Sequence, residues 1–315
     1  MQAIRKVLIV GAGTMGHSLS LLFAKGGFEV NLVDKDPAAL EEAINLIDSA
    51  RKTLVQADFI SPKEEERIHA LINATSDIRA AAKDSDFAIE AVDEDPTVKK
   101  DVFTLLDAYC PKHAILASNT SGLNIFNLLN IRRPEKVIIT HFFAPPHLIP
   151  LVEVVPGHYT EKETIDNVMQ LLQSLGKEPL LLKQYITGFI VNRIQRAIAR
   201  EAFSLVDQNY ANIEEVDRAI KRSLGIRLPT VGVLQTYDFT GLDVYYKICK
   251  ENPIELPISS GPPSIVKQKV ELKELGVKTG KGLYNYAGKK REEILQRRDL
   301  NYIKVLKALN NSMPL

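Results

Sequence analysis

Three things are scarce in this sequence, and each scarcity closes off a class of protein. Cys110 and Cys249 are its two cysteines, too few and too far apart for a disulfide framework or a thiolate metal site. A reducing, cytoplasmic home is therefore expected. Charge of either sign is not in excess, with 40 Lys and Arg against 39 Asp and Glu, so there is no electrostatic case for a nucleic-acid partner or an anionic membrane surface. No apolar run approaches the roughly 20 residues that a bilayer span needs. The chain reads into its first strand with no apolar leader, so no cleaved segment is expected. What is present, 45% hydrophobic residues in a chain of 315, is enough for a full core and longer than one typical domain.

The most informative stretch runs from Lys6 to Gly16, where Val7-Leu-Ile-Val10 feeds straight into Gly11-Ala-Gly-Thr-Met-Gly16. An aliphatic run without polar alternation suits a parallel strand buried on both faces. The glycines then have separate tasks. Gly11 permits the tight reversal, Gly13 lets backbone N–H groups approach a pyrophosphate, and Gly16 lets the next helix lie close on the strand. Thr14 to Lys25 reads as that helix, its positive end toward the phosphates. A second strand, Glu29 to Val33, ends at Asp34, roughly 20 residues past the glycines, where a carboxylate can accept both ribose hydroxyls of an adenosine. The same carboxylate repels a 2′-phosphate, which selects NAD over NADP; Lys35 is the one cation beside it.

Further along, Asp36-Pro37 and the capping box Ser61-Pro-Lys-Glu64 open two successive helices. They read either as decoration of the sheet or as a helical hairpin covering a large ligand. Asp86 to Val92 is a third strand candidate, followed by a helix capped at Asp95-Pro96. Glu94 and Lys99 stand at the mouth of that turn, on the ligand edge of a doubly wound sheet or as a solvated charge pair. Ala114 to Ala117 is a short strand, followed by the polar turn Ser118-Asn-Thr-Ser121. Lys136 to Thr140 delivers His141. In the next strand, Leu151 to Val155, alternation puts Glu153 on the face of Leu151 and Val155. A carboxylate there costs several kcal/mol unless paired, and His141 is the partner within reach, its tautomer then fixed as in a catalytic triad. The bland alternative is a surface glutamate beside a strand-terminal histidine. The other five histidines show no comparable partner.

Thr160 to Glu163 reads as another capping box. Near residue 185 the pattern becomes helical: Thr187 is placed to cap a long helix reaching about Asn209, Asn212 to Glu215 caps the next, and a proline-rich linker runs from Pro253 to Pro263. The expected organisation is therefore α/β, a doubly wound, mostly parallel sheet with a helical-hairpin insertion over 1–184, and an all-helical domain over 185–315.

Taken together, GAGTMG, AVDE with Lys99, SNTS, HFF with the glutamate of LVEVV twelve residues after its histidine, GFIVNR and KTGKGLYNY resemble the L-3-hydroxyacyl-CoA dehydrogenases over nearly the whole length. The resemblance implies a Rossmann-like domain, a helical domain that builds a homodimer, NAD as cofactor, and oxidation of a 3-hydroxyacyl-CoA in fatty acid metabolism. It implies His141 as general base, Glu153 as its orienting carboxylate, and Ser121 and Asn192 at the reacting oxygen. NAD contacts are implied for Gly11, Gly13, Thr14, Met15 and Gly16, and for Asp34, Glu94, Lys99 and Lys278. The hairpin at about 37 to 72 corresponds to the element that covers coenzyme A.

Three departures qualify the transfer. Ala144 stands where the family has asparagine, Thr187 stands where it has proline, and Arg227-Leu-Pro-Thr-Val-Gly-Val-Leu-Gln235 replaces its Met-Gly-Pro-Phe stretch. With Pro-Pro-His-Leu-Ile-Pro before Leu151, these changes are similar to a side branch containing lambda-crystallin and carnitine dehydrogenase, which oxidise free hydroxy acids. Arg227 is then either a bidentate partner for a substrate carboxylate or a solvated or dimer-contact charge. A third reading is a dinucleotide-binding protein without turnover.

Overall fold

The computed structural model describes residues 4–251, 254–258 and 261–310. The chain divides into two compact units, Met1–Ile190 and Val191–Leu315.

The first unit is built on the alternation the aliphatic runs dictate. In chain order it contains β1 (Lys6–Val10), α1 (Gly16–Lys25), β2 (Glu29–Val33), α2 (Pro37–Gln56), α3 (Pro62–Ala70), β3 (Ile72–Thr75), α4 (Ile78–Ala82), β4 (Phe87–Glu90), α5 (Pro96–Tyr109), β5 (Ile115–Ser118), β6 (Val137–Phe142), β7 (Leu151–Pro156), α6 (Lys162–Ser174) and β8 (Glu178–Leu181). The strands form one sheet in the order β3-β2-β1-β4-β5-β6-β7-β8. Every neighbouring pair is parallel except β6 with β7, which runs antiparallel. The order reverses direction between β1 and β4, so the carboxyl ends of these two strands flank the crevice where doubly wound sheets take ligands.

Burial explains the central strands. Val7, Leu8 and Ile9 are fully buried, as are Phe87, Ala88 and Ile89, matching runs without polar alternation. The caps follow their side chains. Asp36 accepts the N–H of Ala38, Ser61 and Glu64 form a reciprocal capping box, and Asp95 accepts from Thr97 and Val98.

Three expectations need correction. The strand after the hairpin is β3, and α4 follows it, so the run beginning at Asp86 yields the fourth strand. Ile72-Asn-Ala-Thr75 is a four-residue edge strand with two exposed side chains, and it lacks the aliphatic signature. Thr160 does not cap α6. Its hydroxyl donates to the Val137 carbonyl and accepts the Gly157 N–H, while Glu161 precedes the helix without a side-chain cap. The long helix also begins later than a cap at Thr187 implies. Gly188 and Phe189 adopt φ of +77° and +50°, which breaks the chain direction, and the helix starts at Val191. The compact first unit runs to Ile190, with Phe189 fully buried in its core and Tyr185 donating to the Gly122 carbonyl at 2.6 Å.

The second unit is helical: α7 (Val191–Asp207), α8 (Ile213–Arg222), α9 (Leu224–Val231), α10 (Val233–Thr240), α11 (Leu242–Glu251), α12 (Ser264–Glu271) and α13 (Arg291–Asn310). Asn212 and Glu215 form the capping box of α8. Pro253, in the expected linker, lies outside the described residues. Among the described residues, no helix is long and apolar enough to cross a membrane.

Candidate active site

The glycine turn is built as its spacing demands. Gly11 has φ of +107°, and a Cβ there would lie 2.6 Å from the Ala91 carbonyl oxygen on the adjoining β4 turn. A Cβ on Gly16 would meet the Gly11 oxygen at 1.7 Å, so α1 closes onto β1 only because no side chain intervenes. Gly13 is different. A Cβ there would meet nothing within 4 Å, so its glycine is not required by the protein's own packing and leaves open the place a pyrophosphate would occupy. Asp34 ends β2 beside this turn. Its Oδ2 accepts the Ala12 N–H at 2.8 Å and its Oδ1 the Asp36 N–H at 3.0 Å, which fixes the carboxylate beside the turn. Thr14 and Met15 complete the turn ahead of α1.

At the far side of the crevice, β6 and β7 bring the two chemistry-bearing residues together. In the antiparallel register His141 is directly opposite Glu153, and Nδ1 of the imidazole lies 2.8 Å from Glu153 Oε2. His141 is 3% exposed and Glu153 fully buried. The second carboxylate oxygen accepts the Ile190 N–H at 2.8 Å, so neither oxygen is wasted. With Nδ1–H held by the carboxylate, Nε2 is the ring atom able to take a proton. Phe143 and Phe189 stack edge-on or tilted against the ring, with centroids at 4.5 and 5.3 Å.

Ser121 is exposed on the turn after β5. The turn is anchored to β6 by Asn119, whose Oδ1 accepts the Phe142 N–H at 2.9 Å. Glu94 holds it from the other side through the Thr120 hydroxyl at 2.6 Å and the N–H groups of Ser121 and Gly122 at 2.9 and 3.2 Å. The reading of Glu94 and Lys99 as a solvated pair is overturned. Lys99 is 1% exposed, its ammonium 2.7 Å from Glu90 and 3.1 Å from Glu94. Burial pushes the Glu94 carboxyl up, but Thr120, Lys99 and the Ser121 N–H outweigh it and hold it below its ordinary range. For Glu90, burial prevails over Lys99 and Ser118 and raises the carboxyl.

Four histidines set aside on sequence do have hydrogen-bond partners, His17 at the Gly13 carbonyl (2.9 Å) and His69 at Arg51 (3.3 Å) among them. His147 Nδ1 is 2.6 Å from Ser18 Oγ, both buried, which ties the β6–β7 connection to α1. His113 Nε2 is 3.0 Å from Asp86 at the amino end of β4, away from the crevice. The same connection is held by Lys177, whose Nζ donates to the carbonyls of Pro146 and Ile149 at 2.6 and 2.8 Å.

In the second unit, Asn192 is half-buried in the first turn of α7. Arg227 is exposed on α9 and donates to Ser223 Oγ at 3.2 Å. Lys278 is exposed in a single 3₁₀ turn.

Residues 6–185 match the NAD binding domain of 3-hydroxyacyl-CoA dehydrogenase, and residues 188–286 match its C-terminal domain. The chain belongs to the 3-hydroxyacyl-CoA dehydrogenase family. It is an NAD-dependent oxidoreductase with the family's Rossmann-like and helical domains. The 3-hydroxybutyryl-CoA dehydrogenase of Clostridioides difficile is 36% identical over 89% of this chain and 99% of its own. The 5-formyl-3-hydroxy-2-methylpyridine 4-carboxylate 5-dehydrogenase of Mesorhizobium japonicum is 30% identical over 97% of this chain and 98% of its own. A crystal structure of an enzyme of that name, described as an NAD⁺-dependent dismutase, covers 99% of this chain and 100% of its own with a TM-score of 0.88 and 28% identity. Family membership thus fixes the cofactor and the reaction type, while the relatives' names divide between thioester and free-acid substrates.

Proposed function

We propose that this chain dehydrogenates a secondary 3-hydroxyl to a ketone, reversibly, with His141 as general base. The observation that carries the reading is the buried 2.8 Å contact between His141, near the carboxyl end of β6, and Glu153 on β7. Neutral His141 takes the hydroxyl proton on Nε2, and Glu153 steadies the imidazolium that forms. The Ser121 hydroxyl, and by resemblance the Asn192 amide, hydrogen-bond the reacting oxygen. NAD, when bound, accepts the hydride. Gly11 to Gly16 and Asp34 would hold its pyrophosphate and adenosine ribose. Glu94, Lys99 and Lys278 are assigned to the cofactor by resemblance.

The family's substrate, a 3-hydroxyacyl-CoA of the 3-hydroxybutyryl-CoA kind, is the first reading. The hairpin of α2 and α3 is then the element that covers coenzyme A. A free short hydroxy acid is the second, favoured by the charge of that hairpin. Residues 37–72 carry seven acidic side chains against four basic ones. One of the four, Arg51, is buried against Asp48 and Glu65, a poor setting for a polyanionic thioester. The end-to-end relative named for a pyridine carboxylate points the same way, with Arg227 as a candidate carboxylate partner. Steady-state kinetics with acetoacetyl-CoA and 3-hydroxybutyryl-CoA against free 3-hydroxy acids separates the two. His141→Gln should cut turnover at least about a hundredfold on whichever substrate works, with NADH binding retained. Near-normal turnover would reject the base assignment. NADH binding without conversion of any of these compounds would leave the non-catalytic reading.

A homodimer through the helical unit is part of the proposal. Among the described residues of that unit, Val216 and Ile303 are the buried aliphatic side chains, whereas Leu234 is 82% and Phe239 69% exposed. A patch of this kind calls for a partner surface, and sedimentation of the full chain reads it. The free thiols of Cys110 and Cys249 support the cytoplasmic location that is part of the proposal.

A further inference from the structure

Carboxylates and ammonium groups as buried as Glu90 and Lys99 cost several kcal/mol each unless paired. Pairing alone would satisfy them, yet the contacts continue outward to one short segment. Glu90 Oε1 receives Lys99 Nζ at 2.7 Å, and Glu90 Oε2 receives the Ser118 hydroxyl at 2.6 Å. Ser118 Oγ in turn accepts the Thr120 N–H at 3.1 Å. On the other arm Lys99 reaches Glu94 Oε2 at 3.1 Å. Glu94 Oε1 gathers the Thr120 hydroxyl and the N–H groups of Ser121 and Gly122. The ring closes through Thr120, with Glu90 at its root in β4 and Ser121 on its exposed rim.

We propose that Glu90 is a positioning residue that sets the place of Ser121 through two arms, one by Ser118 and one by Lys99 and Glu94. The proposal rests on the reading of Ser121 as a donor to the reacting oxygen. It extends the site inward to a side chain that touches neither substrate nor cofactor. A carboxylate is required because both its oxygens accept. In Glu90→Gln the amide NH₂ would face either the Lys99 ammonium, donor against donor, or the Ser118 hydroxyl, which would lose its acceptor. The first orientation releases the Lys99 arm, the second reverses the Ser118 hydroxyl from donor to acceptor, and both remove the charge opposite Lys99; a misplacement on the order of 1 Å is worth about a hundredfold in rate.

The test uses the full chain with Glu90→Gln and Ser118→Ala, the second leaving the charged pair intact. Both should lower kcat by roughly ten- to a hundredfold and change KM less than about threefold. On a Ser121→Ala background, Glu90→Gln should cost less than about threefold more, because the donor it positions is gone. Losses that multiply across the two substitutions would mark a merely structural role and overturn the proposal. A readout independent of turnover is backbone amide exchange. Ser121 and Gly122 should exchange at least about tenfold faster in both variants, and unchanged protection would also overturn it. If Glu90→Gln fails to fold, Ser118→Ala carries both measurements. If the unsubstituted chain converts no 3-hydroxy compound, the catalytic reading of the site fails, while faster exchange at Ser121 and Gly122 still supports Glu90 as the anchor of the turn.

Discussion

Replacing Glu153 by glutamine probes the dyad most directly, because the structure dictates how the amide must sit. One carboxylate oxygen accepts the Ile190 N–H and the other faces His141 Nδ1. A glutamine can present its carbonyl to only one of them. Toward Ile190 the carbonyl is needed, since an NH₂ there would oppose an N–H. The NH₂ then points at Nδ1, which must become an acceptor, and the ring proton moves to Nε2. The histidine is left in the tautomer that cannot take the substrate proton. A wrong-tautomer imidazole loses about 10⁴ in turnover where such triads have been altered, and positioned general-base catalysis as a whole is worth about 10² to 10⁴. At about 1.36 kcal/mol per tenfold, the barrier should rise by roughly 3 to 5 kcal/mol. Initial rates of NADH formation give kcat, and a fluorescence titration with NADH supplies the control. Glu153→Gln keeps an acceptor for Ile190, so its melting temperature should stay near that of the unsubstituted chain. Glu153→Ala strands that N–H and should lose about 1 to 3 kcal/mol of stability besides. Turnover of Glu153→Gln within about threefold of the unsubstituted chain would refute the assignment of Glu153 as the orienting carboxylate.

Gly13→Val should fold as the unsubstituted chain does yet bind NADH poorly, since its side chain enters open space. Gly16→Ala should be destabilised, its Cβ lying 1.7 Å from the Gly11 oxygen. Melting curves and titrations that failed to separate the two variants in this way would refute the phosphate cradle. Asp34→Ala should weaken NADH binding by about 1.5 to 3 kcal/mol, and an unchanged dissociation constant would remove Asp34 from the ribose. Lys177 gives a prediction in pH. Burial, with Lys25 adding to it, pushes its ammonium down to about 8 from an ordinary 10.5. The charged form therefore costs stability below pH 8, and the cost fades as pH rises through 10.5, above which Lys177 is neutral in the folded and the unfolded chain alike. Relative to Lys177→Met, the unsubstituted chain should gain up to about 3 kcal/mol across that window in urea unfolding. A difference that stays flat with pH would contradict it.

Much of the site is legible in the sequence where chemistry and local geometry coincide. Lys6 to Gly16 announces a strand, a turn and a helix within eleven consecutive positions. His141 and Glu153 are legible because strand alternation turns a carboxylate inward, where it must find a cation or a donor. What escapes is set by distance or by shape. Ile72 to Thr75 forms an edge strand, where one face is wet and no aliphatic run is needed. Lys99 reads as solvated until the sheet brings Glu90 beneath it, and His147 meets Ser18 across 129 positions. The start of α7 is displaced by positive φ at Gly188 and Phe189, a backbone choice that Phe189, being no glycine, does not advertise.

The single antiparallel pair in the sheet separates two kinds of heritable change. Because β6 and β7 face each other rung for rung, the spacing of the dyad is guaranteed by the main chain, whatever connects the strands. A change in the connection that leaves both strands paired, such as the one at Ala144, therefore leaves the rung joining His141 to Glu153 in place.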